Sequence, residues 1–270
     1  MTLDIYPNDS RNRPHTEVIV DSSNIGANST DSQKGLVLFG SAKGGQPSEF
    51  YKVTSFAQAK AIFKSGELLD AIETAWRPSN SLQGAGVIYA MRVDSATQAI
   101  LSTPELLFKA YQYGQDGNAI SLKLEDGSIE ESKKLTAYDS KTQKTEVYDN
   151  LGRIFDLKKS PTSTAAYLEV SLTNGVLTFK TGTEADKITA VNTFKLTDSR
   201  NVSSLISQIN LIPDFQALPL PYGDKNVDLG KFEDIPVTAM TGSNTVFVKA
   251  TNADIVHQLQ YSNLVTAEFK

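Results

Sequence analysis

Polar residues dominate the first thirty or so positions, and one apolar island interrupts them. In TEVIVD, Val18 and Val20 alternate with Glu17, Ile19 and Asp21, the two-residue period of a strand. Thr16, Glu17, Val18, Ile19, Val20 and Asp21 are therefore expected to form a strand with no partner nearby in sequence. A strand between polar linkers satisfies its backbone by folding back onto its own domain or by adding to a sheet in another subunit. The segment 1–34 reads as an N-terminal arm.

At Gly35 the pattern changes. Leu36, Val37, Leu38 and Phe39 form an unbroken apolar run, as expected of a strand covered on both faces, and a glycine-rich loop, GSAKGGQP, follows. FYKV, Phe50 to Val53, predicts a second strand. Ser55 with Gln58 three residues on gives a capping box for a helix whose apolar face is Phe56, Ala59, Ile62 and Phe63, and Gly66 is placed to end it. A second helix is predicted from Glu67 to about Trp76, stopped by Pro78. VIYAMRV, Val87 to Val93, is a buried-type strand. Strand, helix, helix, strand implies an α/β unit with a parallel sheet over 35–97.

Beyond residue 97 the texture is β-rich. AISLKL, TEVYD, YLEVSL, VLTFK and NTFKL are separated by turn signals at Asp126-Gly127, Asn174-Gly175 and Thr181-Gly182, the punctuation of a sandwich or small barrel over 98–236. Ser199 to Asn210 predicts one amphipathic helix. TVFVKA predicts a strand and Asn252 begins a helix in the last segment, 237–270. The expected fold class is mixed α+β: an α/β core unit, a β-rich sandwich or barrel domain inserted in it, and an extended arm.

Charge and composition remove several functions. The net charge is −5 from 26 basic and 31 acidic side chains, and the eight basic and eight acidic residues between Ser121 and Ser160 are intermixed. Neither feature gives a nucleic acid a basic face. Without cysteine there is no disulfide framework and no Cys-based zinc site, a composition that fits assembly in a reducing cytoplasm. No segment approaches the ~20 apolar residues of a membrane-spanning helix, and the N-terminus lacks the apolar run of a signal peptide. The Asn-x-Ser/Thr triplets at Asn8, Asn28 and Asn201 then read as chance.

The glycine loop invites comparison with a phosphate cradle. A P-loop needs its lysine after the second glycine and a helix directly behind it; here Lys43 precedes Gly44 and Gly45, and Pro47 and FYKV intervene. A tight turn accounts for the glycines. His15 and His257 have no metal-ligand spacing, no G-x-S-x-G elbow supports a Ser-His-Asp triad, and Glu125/Asp126 and Glu130/Glu131 read as solvated acids around a turn. No catalytic, cofactor-binding or metal site is assigned.

The run LVLFGSAKGGQPSEFYKVTSFAQAKAIFKSGELLDAIETAW with GAGVIYAMRV resembles the front of contractile bacteriophage tail sheath proteins. YGQDGNAISLKL is similar to the opening of that family's inserted β domain, and RPH, SGELLDAIE, VYDNLG and PYGDKN are closest to sheaths of myophages of Gram-positive hosts. The resemblance implies a non-enzymatic virion subunit, assembled in the host cytoplasm without cofactor, that polymerises with itself around the tail tube. Its partners would be the tube protein, the baseplate and the tail terminator, with no nucleic acid and no membrane insertion. Contraction would drive the tube through the host envelope for genome ejection. It also implies that the arm strand 16–21 links subunits, that 98–236 faces outward, and that the chain is an N-terminal fragment of a longer protein, with an incomplete core resuming at 237–270. Two other readings stay open on the residues alone: a receptor- or carbohydrate-binding virion module built on 98–236, and a nucleotide-binding enzyme using Lys43.

Overall fold

The computed structural model describes residues 35–79, 84–223, 225–242 and 244–270, together with the backbone of Val18–Ile19. The chain divides into two compact units. One runs through Ala99 and includes Gln112–Asn118; the other comprises Ile100–Tyr111 and Ala119–Lys270. Among the described residues the fold is mixed α and β, mostly sheet, with four α-helices and no closed barrel.

The first unit contains β1 (Val18–Ile19), β2 (Gly35–Gly40), β3 (Phe50–Val53), α1 (Phe56–Phe63), α2 (Glu67–Trp76) and β4 (Val87–Arg92), in the sheet order β1-β2-β4-β3. β2 and β4 are parallel, as the strand–helix–helix–strand order requires, with Leu36 opposite Ile88 and Leu38 opposite Ala90. β3 pairs antiparallel with β4, so the expected parallel sheet is a mixed one. Leu38, Ile88, Ala90 and Val53 share one face and bury against Ala59 and Phe63 of α1 and Leu68, Leu69 and Ile72 of α2.

α1 starts at the predicted cap: the Ser55 side chain accepts from Gln58 N at 3.2 Å. The return half of the box differs, because Gln58 Oε1 accepts from the Thr54 amide at 3.0 Å and the Thr54 hydroxyl at 3.2 Å. Lys64, at φ 63°, ends this helix. Gly66, at φ 119°, is the cap of α2 instead of the stop for α1; a Cβ there would come within 2.9 Å of the Ser41 carbonyl.

The second unit is built from four open sheets. β5 (Gln98–Ser102), β6 (Leu106–Tyr113) and the last strand, β17 (Val265–Phe269), have the order β17-β6-β5. β7 (Ile120–Asp126), β8 (Lys133–Asp139) and β9 (Lys144–Leu151) form a meander. β10 (Arg153–Lys159) lies between β14 (Phe215–Pro219) and β16 (Thr245–Lys249). β11 (Tyr167–Thr173), β12 (Val176–Gly182), β13 (Ile188–Lys195) and β15 (Ile235–Ala239) run β13-β12-β11-β15. α3 (Val202–Ile209) and α4 (Thr251–Leu259) complete the unit.

The Asn174-Gly175 signal is a two-residue hairpin turn, φ 49° and 73°, between paired Thr173 and Val176. Thr181-Gly182 is not a turn: it lies inside β12, and Thr181 pairs with Leu168. The sequence pattern misleads there because strand pairing overrides a weak breaker dipeptide.

Two apolar cores fill the second unit. Ile154, Phe155 and Leu157 of β10, Leu168 and Val170 of β11, Phe179 of β12 and Leu205 and Ile209 of α3 belong to the first. Leu106, Phe108, Leu135, Leu151 and Val265 belong to the second. α4 supplies Ala253 to one and Ile255 and Leu259 to the other, so residues 237–270 fold within this unit.

Glu146 fastens β9 to the turn before β17. Burial alone would raise its pKa, but the Ser262 hydroxyl (2.6 Å), the Lys144 ammonium (2.9 Å), the Asn263 amide (3.3 Å) and the Tyr148 hydroxyl (3.1 Å) hold the carboxyl at about 2. A folded-state pKa below the unfolded one stabilises fully above the ordinary carboxylate range, and this is lost as pH falls toward 2. Glu146→Gln is therefore expected to cost on the order of 2 kcal/mol at pH 7 and almost nothing near pH 2, read from urea melts of both proteins across that range. Parallel stability curves for the two would contradict the assignment. Phe179→Ala, which empties a site wholly buried between Phe194 and Phe215, is expected to cost about 3–5 kcal/mol in the same measurement.

Candidate functional site

β2 holds the candidate site, because both of its edges are engaged. On one side β4 runs parallel to it. On the other, the backbone of Val18–Ile19 lies antiparallel, with Val18 opposite Leu38 and Ile19 opposite Val37. The remaining residues of the predicted arm strand, Thr16, Glu17, Val20 and Asp21, lie outside the described residues. An edge of this kind offers a row of amide and carbonyl groups that accept an added strand from any chain that reaches them. Such an edge can assemble polypeptides, and it carries no reactive group.

The glycine loop beside this edge has already committed its donors. Ala42 N donates to Asp94 Oδ1 (3.0 Å), Lys43 N to the Ser65 carbonyl (2.9 Å), Gly44 N to the Phe63 carbonyl (2.9 Å) and Gln46 N to the Tyr51 hydroxyl (3.0 Å). A phosphate cradle needs those amides free and convergent. Here they tie the loop to the α1–α2 junction, and the Ser41 carbonyl accepts from Leu68 N in the first turn of α2 at 3.0 Å. The glycines serve close approach: a Cβ on Gly44 would collide with the Ile62 carbonyl, and one on Gly40 would lie 3.1 Å from Leu68 Cα. The expectation of a structural turn agrees with this geometry.

One pair in this region was not singled out from the sequence. Arg92 is buried at the end of β4, and its guanidinium forks onto Asp94, Nε to Oδ1 at 3.0 Å and Nη2 to Oδ2 at 2.5 Å. Burial works to raise the Asp94 pKa, but the Arg92 and Ala42 hydrogen bonds and the guanidinium charge outweigh it and leave the carboxyl below its ordinary value. Arg92 Nη1 also reaches the Gly45 carbonyl at 3.4 Å. The pair therefore braces the loop. An arginine closing an apolar strand with an aspartate two residues later was the available signal.

The other sequence candidates disperse. His15, Asn8 and Asn28 lie outside the described residues. His257 packs edge-on against Tyr261, ring centroids 5.7 Å apart. Asn201 caps α3, its Oδ1 accepting from Ser204 N at 2.8 Å. Asp126 and Glu131 pair with Lys133 (2.7 Å) and Lys249 (2.9 Å), which pull both carboxyls below their ordinary values. Among the described residues no three His, Asp or Glu side chains gather to hold a metal ion, and no helix is long and apolar enough to cross a membrane. A buried pair that the sequence does not advertise joins Lys225 to Asp254, which also accepts from Gly152 N at 2.8 Å and anchors the turn between β9 and β10 to α4.

Gly44→Ala is expected to destabilise the first unit by about 1–3 kcal/mol, since the obstacle is backbone, whereas Lys43→Ala is expected to stay within about 0.5 kcal/mol of the parent. Urea melts compare them, and calorimetric titration with ATP is expected to give no heat beyond dilution. Saturable ATP binding lost in Lys43→Ala would restore the nucleotide reading.

No protein-family profile matches the chain. Curated relatives do. A protein of Enterococcus phage phiEF24C named for tail sheath function is 38% identical over 98% of this chain and 48% of its own length. The tail sheath protein of Staphylococcus phage Twort is 37% identical over 99% of this chain and 46% of its own. That of Bacillus phage SP01 is 29% identical over 92% and 44%. A solved sheath tail protein from Listeria innocua aligns with 86% of this chain and 38% of its own at 11% identity; its TM-score of 0.34 is too low to bear on the fold. The chain thus spans about half the length of the curated relatives it matches, and over nearly all of its own length it is a homologue of phage tail sheath proteins.

Proposed function

We propose that this chain is part of the structural, non-enzymatic subunit of a contractile phage tail sheath. Sheath homology across almost the whole chain is the observation that carries this reading. The subunit polymerises with itself around the tail tube, between baseplate and tail terminator, and its contraction drives the tube through the host envelope for genome ejection. It is assembled in the host cytoplasm and resides in the virion tail.

In this reading the arm strand, Thr16 to Asp21, is exchanged between subunits. The β2 edge that receives Val18–Ile19 is its seat, filled in the polymer by the arm of a neighbour. Main-chain pairing suits a joint that must survive rotation, because its hydrogen bonds travel with the strand. The β-rich segment 98–236, with which 237–270 fold, forms an outward-facing domain whose intermixed charges recruit no polyanion, and 35–97 contribute to the core.

Removing residues 1–30 is expected to leave a folded subunit that no longer builds continuous tubes, scored by negative-stain electron microscopy of the assembled product. Normal tubes from that deletion would sink the strand-exchange role while leaving the sheath assignment intact.

A further inference from the structure

Two stretches singled out in the sequence, VYDNLG and PYGDKN, meet at one buried spot in the second unit. Lys225 of PYGDKN reaches the end of β9, where its ammonium donates to the main-chain carbonyl of Asn150 and to Asp254 Oδ2 in the first turn of α4. The Lys225 side chain is 10% exposed and that of Asp254 is wholly buried. Their neighbours along the chain, Leu151, Val227, Ala253 and Ile255, are buried and apolar. Asp254 Oδ2 also accepts from Gly152 N at 2.8 Å, whereas Asp254 Oδ1 is buried without a donor, as is Asn150 Oδ1. A buried ion pair recovers the cost of leaving water only when every lone pair and proton finds a partner, and here one carboxyl oxygen is left over.

We propose that Lys225 and Asp254 condense into an intramolecular isopeptide bond that closes residues 225–254 into a covalent loop. The step begins with one proton passing from the ammonium to Asp254 Oδ1, which discharges both groups in a site that excludes water. The Nζ lone pair then attacks Cγ and forms the nitrogen–carbon bond, and the negative charge gathered on Oδ2 is met by the Gly152 N–H. A second proton moves from nitrogen to Oδ1, the Cγ–Oδ1 bond breaks, and Oδ1 leaves as water; nothing is oxidised or reduced. The product keeps the partners already in place: its amide N–H donates to the Asn150 carbonyl, and its carbonyl, Oδ2, accepts from Gly152 N. The carboxyl oxygen without a partner is the one that departs. Between the joined residues lie β15 and β16, which belong to different sheets, so the bond staples both to α4 in a chain that has no cysteine for a disulfide. The proposal does not depend on the sheath reading.

Intact-mass spectrometry of the purified 270-residue chain, denatured for the measurement, tests this. Its mass is expected to fall below the sequence mass by one water molecule, and tandem spectra of a digest are expected to show the peptide carrying Lys225 joined through that side chain to the peptide carrying Asp254. Lys225→Arg is expected to run at its full sequence mass, because a guanidinium stays protonated and does not attack. Should that variant fail to fold, the joined peptide in the parent chain decides alone. A parent chain at full sequence mass, both freshly purified and after long incubation at neutral pH, overturns the proposal. So does a loss of water that persists in Lys225→Arg or maps to Asp116 or Asp126, each followed by glycine, where it would be a cyclised aspartate. The readout is a mass, so it stands apart from whether the chain builds tubes.

Discussion

Backbone pairing along β2 is the constraint on which the first unit turns. A six-residue strand carries amide and carbonyl groups on both edges, and a buried group left unpaired costs more than a formed hydrogen bond contributes. β4 satisfies one edge in parallel register, which demands a crossover, and α1 and α2 provide it. The other edge needs a strand from elsewhere, and a short segment from a polar arm fills it. Because that strand is tethered by some fifteen residues and contributes main-chain bonds, nothing in the chemistry of the edge specifies which copy of the arm must occupy it. An assembly of identical subunits can exploit this indifference.

Hydrophobic burial then decides how the pieces thicken. The first unit buries one face of its sheet and keeps the other apolar and open. The second unit closes on itself by a different route, with sheets sharing apolar cores and α4 contributing to both. Its fastenings are polar and local. Glu146 gathers four donors, and Asp254 takes the Lys225 ammonium and the Gly152 amide at the foot of a helix. Each is a carboxylate withdrawn at least in part from water, and the donors around it offset the cost of that burial. The surface around them is a mixture of both charges.

Much of this was legible in the chain. Periodicity placed β2, β3, β4, α1, α2 and, in the second unit, β7, β9, β11, β12, β13 and β16 within a few residues, and Asn174-Gly175 marked a hairpin turn; β5, β6, β8, β10, β14, β15 and β17 were not singled out. Ser55 announced a helix start. The order of lysine and glycines argued against a phosphate loop, and the committed amides of Ala42, Lys43, Gly44 and Gln46 give the physical reason. The family resemblance lay in the order of those same elements, and homology over nearly the whole chain agrees with it. Other details were hidden. Gly66 was expected to close α1 but caps α2, because the approach of the Ser41 carbonyl selects glycine there. The Gln58 amide donates to the Ser55 cap as expected, but its side chain accepts from Thr54 and not from the cap residue's amide.

Local pattern in the chain was enough to place the elements of the first unit and about half the strands of the second, to mark the apolar positions, and to show that the glycine loop lacks the order of a phosphate cradle. These follow from local propensity and from periods of 2 and 3.6 residues, which any short window displays. Long-range packing settled the rest: β3 joins β4 antiparallel, Arg92 and Asp94 brace the loop, α4 serves two cores, and Val37, Phe39 and Phe50 share the sheet face turned away from α1 and α2. Those outcomes depend on residues far apart in the chain, and pairing partners compete for the same edges and faces. Local pattern states that an edge or a face must be satisfied, and only the folded arrangement says by what.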